Sequence, residues 1–119
     1  MNAQSIIAHL SQDFDAIADS ALALAAERLA TQVRLALSVL PGGPHDHPWL
    51  QTGALHDSIE VKSKGPEALV ASTSDVAAYQ EHGTATIPPR PTFAPVAAAN
   101  GHALAHSIGH AVAQALGAR

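Results

Sequence analysis

The chain has 119 residues, a length that allows one domain and excludes two independent cores. Alanine supplies 26 residues and the larger apolar side chains number 30, so one copy gains little from burial and association is a natural remedy. Six basic and ten acidic residues give a net charge of −4, which excludes a nucleic-acid-binding footprint, and the absence of cysteine excludes disulfides and thiolate metal sites.

A long helix is predicted from Asn2 to Leu40, a stretch without proline or glycine in which alanine dominates. Its large apolar residues recur at three-, four- and seven-residue steps, which is the helical period. They are Ile6, Leu10, Phe14, Ile17, Leu22, Leu29, Val33, Leu37 and Leu40. The pattern leaves open a break near Ser11–Asp13. The predicted end is Pro41-Gly42-Gly43-Pro44, a run that stops helices.

A helical turn and two strands are predicted next. Thr52–Asp57 reads as one capped turn, and Ser58–Ser63 alternates apolar with polar side chains, which is typical of a strand. Lys64–Glu67 contains Gly and Pro and predicts a turn, after which Ala68–Thr73 forms the second strand. The two strands are therefore expected to pair as an antiparallel hairpin.

The rest of the chain is predicted to be helical apart from one extended connector. Asp75–His82 forms a short helix that Gly83 ends. Ile87–Pro91 must be extended because prolines fix φ and restrict the residue before them. Thr92 is predicted to cap a final helix that runs to about Leu116. The expected fold is a single α+β domain with a long N-terminal helix (1–40), a hairpin, short helix and connector (52–92), and a C-terminal helix (93–117).

Eight histidines raise the question of metal binding. His102, His106 and His110 lie four residues apart on one face of the last helix, where two of them could share a zinc ion. A catalytic zinc site also needs a third ligand and supporting carboxylates, and no Asp or Glu follows Glu81. His45-Asp46-His47 is a weaker candidate. We therefore expect a polar helix face with no metal and no cofactor; a His-rich metal-binding protein or small metallohydrolase is the alternative from another class.

No catalytic or membrane motif stands out. The chain has no Gly-x-Ser-x-Gly elbow, and the consecutive residues His56-Asp57-Ser58 cannot form a relay by adjacency alone. Its one Gly-Gly run lacks the Lys and Ser/Thr of a phosphate loop. There is no uncharged apolar run of membrane-spanning length, and Met1–Ser11 lacks the basic residues of a signal peptide. The sequence therefore predicts neither an enzyme nor a membrane protein.

Three strings of residues occur in a fixed order. The first is Thr52-Gly53-Ala54-Leu55-His56-Asp57-Ser58-Ile59, the second is Val76-Ala77-Ala78-Tyr79-Gln80-Glu81-His82-Gly83-Thr84, and the third is Pro88-Pro89-Arg90-Pro91-Thr92-Phe93-Ala94-Pro95. Over roughly residues 50–117, their order and spacing resemble the small tail-completion or tail-terminator proteins at the head–tail junction of long-tailed phages and phage-derived particles. The chain departs from that family at Val76, where tyrosine is usual, at His82, where phenylalanine is usual, and at Thr92-Phe93, where Phe-Leu is usual.

The resemblance implies a virion structural protein that terminates the tail tube and joins it to the neck. It implies a ring of identical copies, with six the expected number, whose partners are the tail tube protein and the neck stopper (head-completion) protein. DNA would pass through the lumen without specific binding, and no membrane is involved. The expected location is the tail and neck of the virion, and the host cytoplasm during assembly. Another neck component or a minor tail protein is the alternative within the same group.

Contacts between subunits or with partners are expected to use eight residues of these strings: Thr52, Gly53, Leu55, Tyr79, Glu81, Gly83, Arg90 and Phe93. Arg90 is the one cation between Lys64 and Arg119 and stands between two prolines, so it should present a fixed guanidinium. We expect it to pair with a carboxylate, with Glu81 the first choice, within the chain or across a subunit boundary. A merely solvated arginine is the alternative.

Overall fold

The computed structural model of the protein describes residues 3–42, 48, 50 and 53–117. Within these ranges the elements follow in the order α1 Ala3–Ala36, α2 Ala54–Asp57, β1 Ile59–Lys64, β2 Glu67–Ser72, α3 Asp75–His82 and α4 Phe93–Gly117. This is the α+β architecture that the sequence predicts. None of the described helices is both long enough and apolar enough to cross a membrane.

The first helix is continuous. α1 has 34 residues and is about 50 Å long at 1.5 Å per residue. It runs through Ser11–Asp13 without a break, so the break that the sequence left open is absent. Continuity follows from composition, because the segment holds no proline or glycine and is rich in alanine, the best helix former.

α1 nevertheless ends earlier than predicted. Its last residue is Ala36, four residues before the expected end at Leu40. The backbone N–H of Leu50 donates to the carbonyl of Val39 at 2.6 Å, so the chain beyond the helix pairs with a later segment. Before that point the N–H of Ser38 donates to the carbonyl of Leu35, three residues back, at 3.1 Å, and this tighter turn ends the α-helical pattern.

The hairpin packs against α1. β1 and β2 pair antiparallel along their whole length, beginning with Ile59 opposite Ser72. Ile59 is buried, and Val61 and Val70 pack against the same cluster from the two strands. Arg34 of α1 donates from Nη2 to the carbonyl of Ile59 at 2.9 Å. This hydrogen bond joins the helix to the first residue of the hairpin.

The core of the described chain is small and lies where α1, β1 and α4 meet. Its buried cluster consists of Ala30, Val33, Leu37, Ile59 and Val96. Ala25 and Ala26 are buried further toward the start of α1, and Val33 is the largest fully buried side chain. Because alanine fills so many of these positions, α4 can approach α1 closely but little apolar area leaves water.

The shape of the chain is elongated. It measures 66 × 22 × 22 Å, with a Cα radius of gyration of 18.6 Å. A compact domain of 119 residues has a radius of gyration of about 13.5 Å. The chain is therefore elongated, and its buried core is small compared with its length.

We expect Val33→Ala to lower the free energy of unfolding by about 1.5–3 kcal/mol, because it removes two methyl groups from a fully buried site. Val76→Ala is the matched control, since it makes the same change at an exposed position of α3 and should stay within about 0.5 kcal/mol. Urea denaturation followed by circular dichroism measures both. Equal losses would contradict this location of the core.

Candidate functional site

The short helix α3 carries most of the second string and has a defined boundary at each end. At its start, the hydroxyl of Ser74 accepts from the backbone N–H of Val76 at 3.2 Å. At its end, Gly83 has φ +75° and donates its N–H to the carbonyl of Tyr79 at 2.8 Å. Both boundaries are as the sequence predicts. Glu81 consequently lies in the last turn of α3.

The carboxylate of Glu81 caps the N-terminus of α4. Its Oε1 accepts from the backbone N–H of Thr92 at 2.5 Å and of Phe93 at 2.7 Å, and its Oε2 accepts from the N–H of Ala94 at 3.2 Å. The first turn of a helix has unpaired N–H groups and a partial positive charge, so an anion is favourable there. We call Glu81 and these three residues the α3–α4 junction.

The connector folds back along α3 to bring the two parts of the junction together. Gly83 begins the reversal at φ +75°, and a Cβ at this residue would lie 2.9 Å from Cδ and N of Pro89. The N–H of Arg90 then donates to the carbonyl of Gln80 at 2.7 Å. The prolines keep this stretch from sampling many conformations, so the start of α4 is held at a fixed distance from α3.

The prediction that Arg90 pairs with Glu81 inside the chain is wrong. Both oxygens of Glu81 accept backbone N–H groups of α4, and no ion pair joins the two side chains. Arg90 is half-buried, and its backbone N–H holds the connector to α3 where its guanidinium was expected to do so. A pair across a subunit boundary stays a prediction.

The prediction that the Thr92 side chain caps α4 is also wrong. Thr92 is 3% exposed, and its Oγ1 has no hydrogen-bond partner among the described residues. The Oε1 of Gln80 is also buried without a hydrogen-bond partner among the described residues. Both residues line a cavity of about 10 Å³ next to the junction, which has room for about one water molecule. Glu81 has taken the capping role that the local sequence assigns to Thr92.

Ser58 connects the first string to the start of α3. Its hydroxyl donates to the carbonyl of Leu55 at 2.6 Å and lies 2.6 Å from the hydroxyl of Ser72. The Oγ of Ser72 in turn accepts from the N–H of Ser74 at 3.0 Å. Ser58 is buried and is not among the predicted site residues. Its position between a helical turn and a strand is the one feature of the sequence that could have predicted its role.

The seven predicted site residues other than Arg90 fall into separate groups. Three of them line the cavity beside the junction: Leu55, Glu81 and Phe93. Gly53 and Gly83 hold φ of +81° and +75°, and they start α2 and end α3. Tyr79 lies on α3 with 54% of its surface exposed, and its carbonyl accepts from the N–H of Gly83. Thr52 lies outside the described residues.

The described residues contain no group of three or more His, Cys, Asp or Glu side chains that could hold a metal ion. His102, His106 and His110 are exposed on α4, and the rings of His106 and His110 stack with centroids 6.5 Å apart. His45 and His47 lie outside the described residues. The three candidate ligands that are described, His102, His106 and His110, therefore form a polar stripe on one helix.

Comparisons with family models, curated proteins and solved structures found no match. The resemblance of the three strings to tail-completion proteins therefore remains a hypothesis drawn from motifs.

We expect Glu81→Ala to lower the free energy of unfolding by about 1–2 kcal/mol, because three backbone N–H groups lose their acceptor. Glu81→Gln keeps one acceptor oxygen without the charge, so its loss of unfolding free energy should lie between zero and that of Glu81→Ala. Glu67→Ala removes an exposed carboxylate from β2 and should stay within about 0.5 kcal/mol. Equal effects of the Glu81 and Glu67 changes in urea denaturation would contradict the cap.

We expect Gly83→Ala to destabilise the fold by more than about 2 kcal/mol, because φ +75° is strained for alanine and the new Cβ would lie 2.9 Å from Pro89. Gly101→Ala is the matched control, because nothing lies within 4 Å of its Cβ position. Alanine is a better helix former than glycine, so this change should raise the free energy of unfolding by about 0.5–1 kcal/mol. The two changes should thus shift the melting temperature in opposite directions. Shifts of the same sign would disprove the strain at Gly83.

Proposed function

We propose that this protein is a subunit of a ring at the head-proximal end of a phage-type tail, where it terminates the tail tube and joins it to the neck. The observation that carries this proposal is the α3–α4 junction. Glu81 comes from the second string and its three donors come from the third, so residues that carry the resemblance form one physical unit. The first string reaches the start of the same helix, α3, through the hydrogen bonds of Ser58 and Ser72.

The elongated shape supports a role in an assembly. One copy has a radius of gyration well above that of a compact domain of its length, and its buried cluster is small. A subunit of this kind gains part of its stability from contacts with other copies, since whatever binds the folded form stabilises it. A ring provides such contacts on both sides of every subunit.

The charge of the chain supports a lumen that passes DNA. The net charge is −4, and Arg90 is the one cation between Lys64 and Arg119. Proteins hold DNA through clusters of Lys and Arg that neutralise phosphates. A wall without such clusters lets DNA slide through, which suits a component whose role is binding geometry and not catalysis.

We expect the purified protein to assemble as its concentration rises, with the mass from light scattering climbing from 12.2 kDa to a plateau near six subunit masses. The melting temperature should rise over the same range, because association stabilises the folded subunit. Electron microscopy of the plateau species should show rings. A monomer at every concentration that also fails to join tail tubes would overturn the proposal.

Binding to polymerised tail tubes separates the related roles. A terminator binds one end of each tube and recruits the stopper protein there, whereas a minor tail protein binds the opposite end or the side. A chelator serves as the control for the alternative from another class. Rings that persist in the chelator exclude an assembly held together by metal, and rings that dissolve in it would favour a metal-binding protein.

A further inference from the structure

The side of α1 that faces away from the core carries a second apolar seam. Starting at Phe14 and moving in steps of three and four residues, this outer face consists of Phe14, Ile17, Ala21, Leu24, Arg28, Thr31 and Leu35. At 100° per residue these positions fall within an arc of about 100°, on the side opposite Ala30, Val33 and Leu37. Alternating steps of three and four are typical of one helix packing on another.

Three of the four large apolar side chains of this outer face are exposed in the single chain, and the fourth, Ile17, is half-buried. Leu35 is 59% exposed, Leu24 is 53% exposed and Phe14 is 45% exposed. The face carries one charge, that of Arg28. Single exposed hydrophobic residues are ordinary, but a row of them along some 30 Å of one helix is typical of an interaction surface.

α4 has an unpartnered face of complementary character. None of the 25 residues of α4 is charged. On the side opposite Val96 and Leu104, exposed residues again follow steps of three and four, and they are Pro95, Ala99, His102, His106, Gly109 and Ala113. Pro95, Ala99, Gly109 and Ala113 are small and leave room for large apolar side chains of a neighbouring helix, while His102 and His106 place polar rings between them.

The surface area of the chain is large for its mass, as its elongated shape requires. A monomer of 12.2 kDa exposes about 6,100 Å² on average. This chain exposes 7732 Å², roughly 1,600 Å² more than that average. A standard protein interface buries about 800 Å² on each partner, so the excess is similar to the area that two such patches bury on one chain. In a closed ring every copy uses two different patches, which meet each other in one repeated interface.

We propose that the outer face of α1 in one copy packs against the outer face of α4 in the next copy. This inference rests on the proposed ring and names its interface. Within one chain the opposite sides of α1 and α4 already pack on each other. The new contact continues that arrangement, so that α1 and α4 alternate around the ring. Large side chains such as Leu24 then enter a surface lined by Ala99, Gly109 and Ala113.

The absence of cysteine makes this contact directly testable by cross-linking. One variant carries Leu24→Cys, and two others carry Ala99→Cys or Ala113→Cys near the two ends of the α4 face. Pairs of variants are refolded together, allowed to assemble and treated with a flexible bismaleimide. We expect a cross-linked dimer from Leu24→Cys mixed with at least one α4 variant, and none from any variant alone. Leu69→Cys, at an exposed position of β2, is the control and should give no product with Leu24→Cys.

Each outcome decides one of the two proposals. A dimer from Leu24→Cys alone would mean that two α1 helices pack about a two-fold axis, which overturns the α1–α4 contact. Rings in electron micrographs without any α1–α4 product would also overturn the contact and leave the proposed function standing. An α1–α4 product in open chains, without rings, would support the contact and overturn the ring.

A charge variant measures the same contact without a cross-linker. Leu24→Asp places a carboxylate in the seam and should reduce the assembled mass to that of the 12.2 kDa subunit, with the circular dichroism spectrum unchanged. Leu69→Asp is the matched control and should leave the assembled mass as it is. Loss of assembly with Leu69→Asp but not with Leu24→Asp would overturn the contact.

Discussion

The placement of α4 depends on the contact between the Glu81 carboxylate and the first N–H groups of that helix. α4 delivers Val96 to the buried cluster, so the position of its first turn decides whether the core closes. The described part of α3 has no buried residue. A polar contact therefore holds this helix in place, whereas apolar burial holds α1. Without Glu81, donors beside the buried Thr92 would be left unpaired, which costs more than an ordinary hydrogen bond contributes.

Local signals in the sequence were sufficient for most of the architecture. The boundaries of α3 follow from Ser74 and Gly83, which act within their own turns, and the strands follow from alternation. The capping of α4 could not be predicted in this way, because Glu81 lies 11 to 13 residues from the groups it binds. Thr92 offered a cap at the right position, and Arg90 offered the carboxylate an obvious partner. Neither local interaction forms, because the fold brings the distant Glu81 carboxylate to three backbone N–H groups of α4.

Alanine has two consequences in this chain. Inside, Ala25, Ala26 and Ala30 let α4 approach α1, but they bury little area. Outside, alanine and glycine leave α4 without charge, and Phe14, Leu24 and Leu35 of α1 stay in water. A sequence of this kind meets the requirements of a helix easily and those of a self-sufficient core poorly. Its stability is therefore best understood together with its state of association.

The spacing of contacts along the chain also bears on the order in which it folds. The junction closes over 11 to 13 residues, whereas the hydrogen bond from Arg34 to Ile59 spans 25. The entropy lost on closing a loop increases with its length, and loops of about ten residues close within about 10–100 ns. The reversal from α3 into α4 can therefore close faster than the contact between Arg34 and Ile59. It can form as soon as the first turn of α4 exists. The long N-terminal helix can then dock onto a C-terminal half whose chain direction is already set.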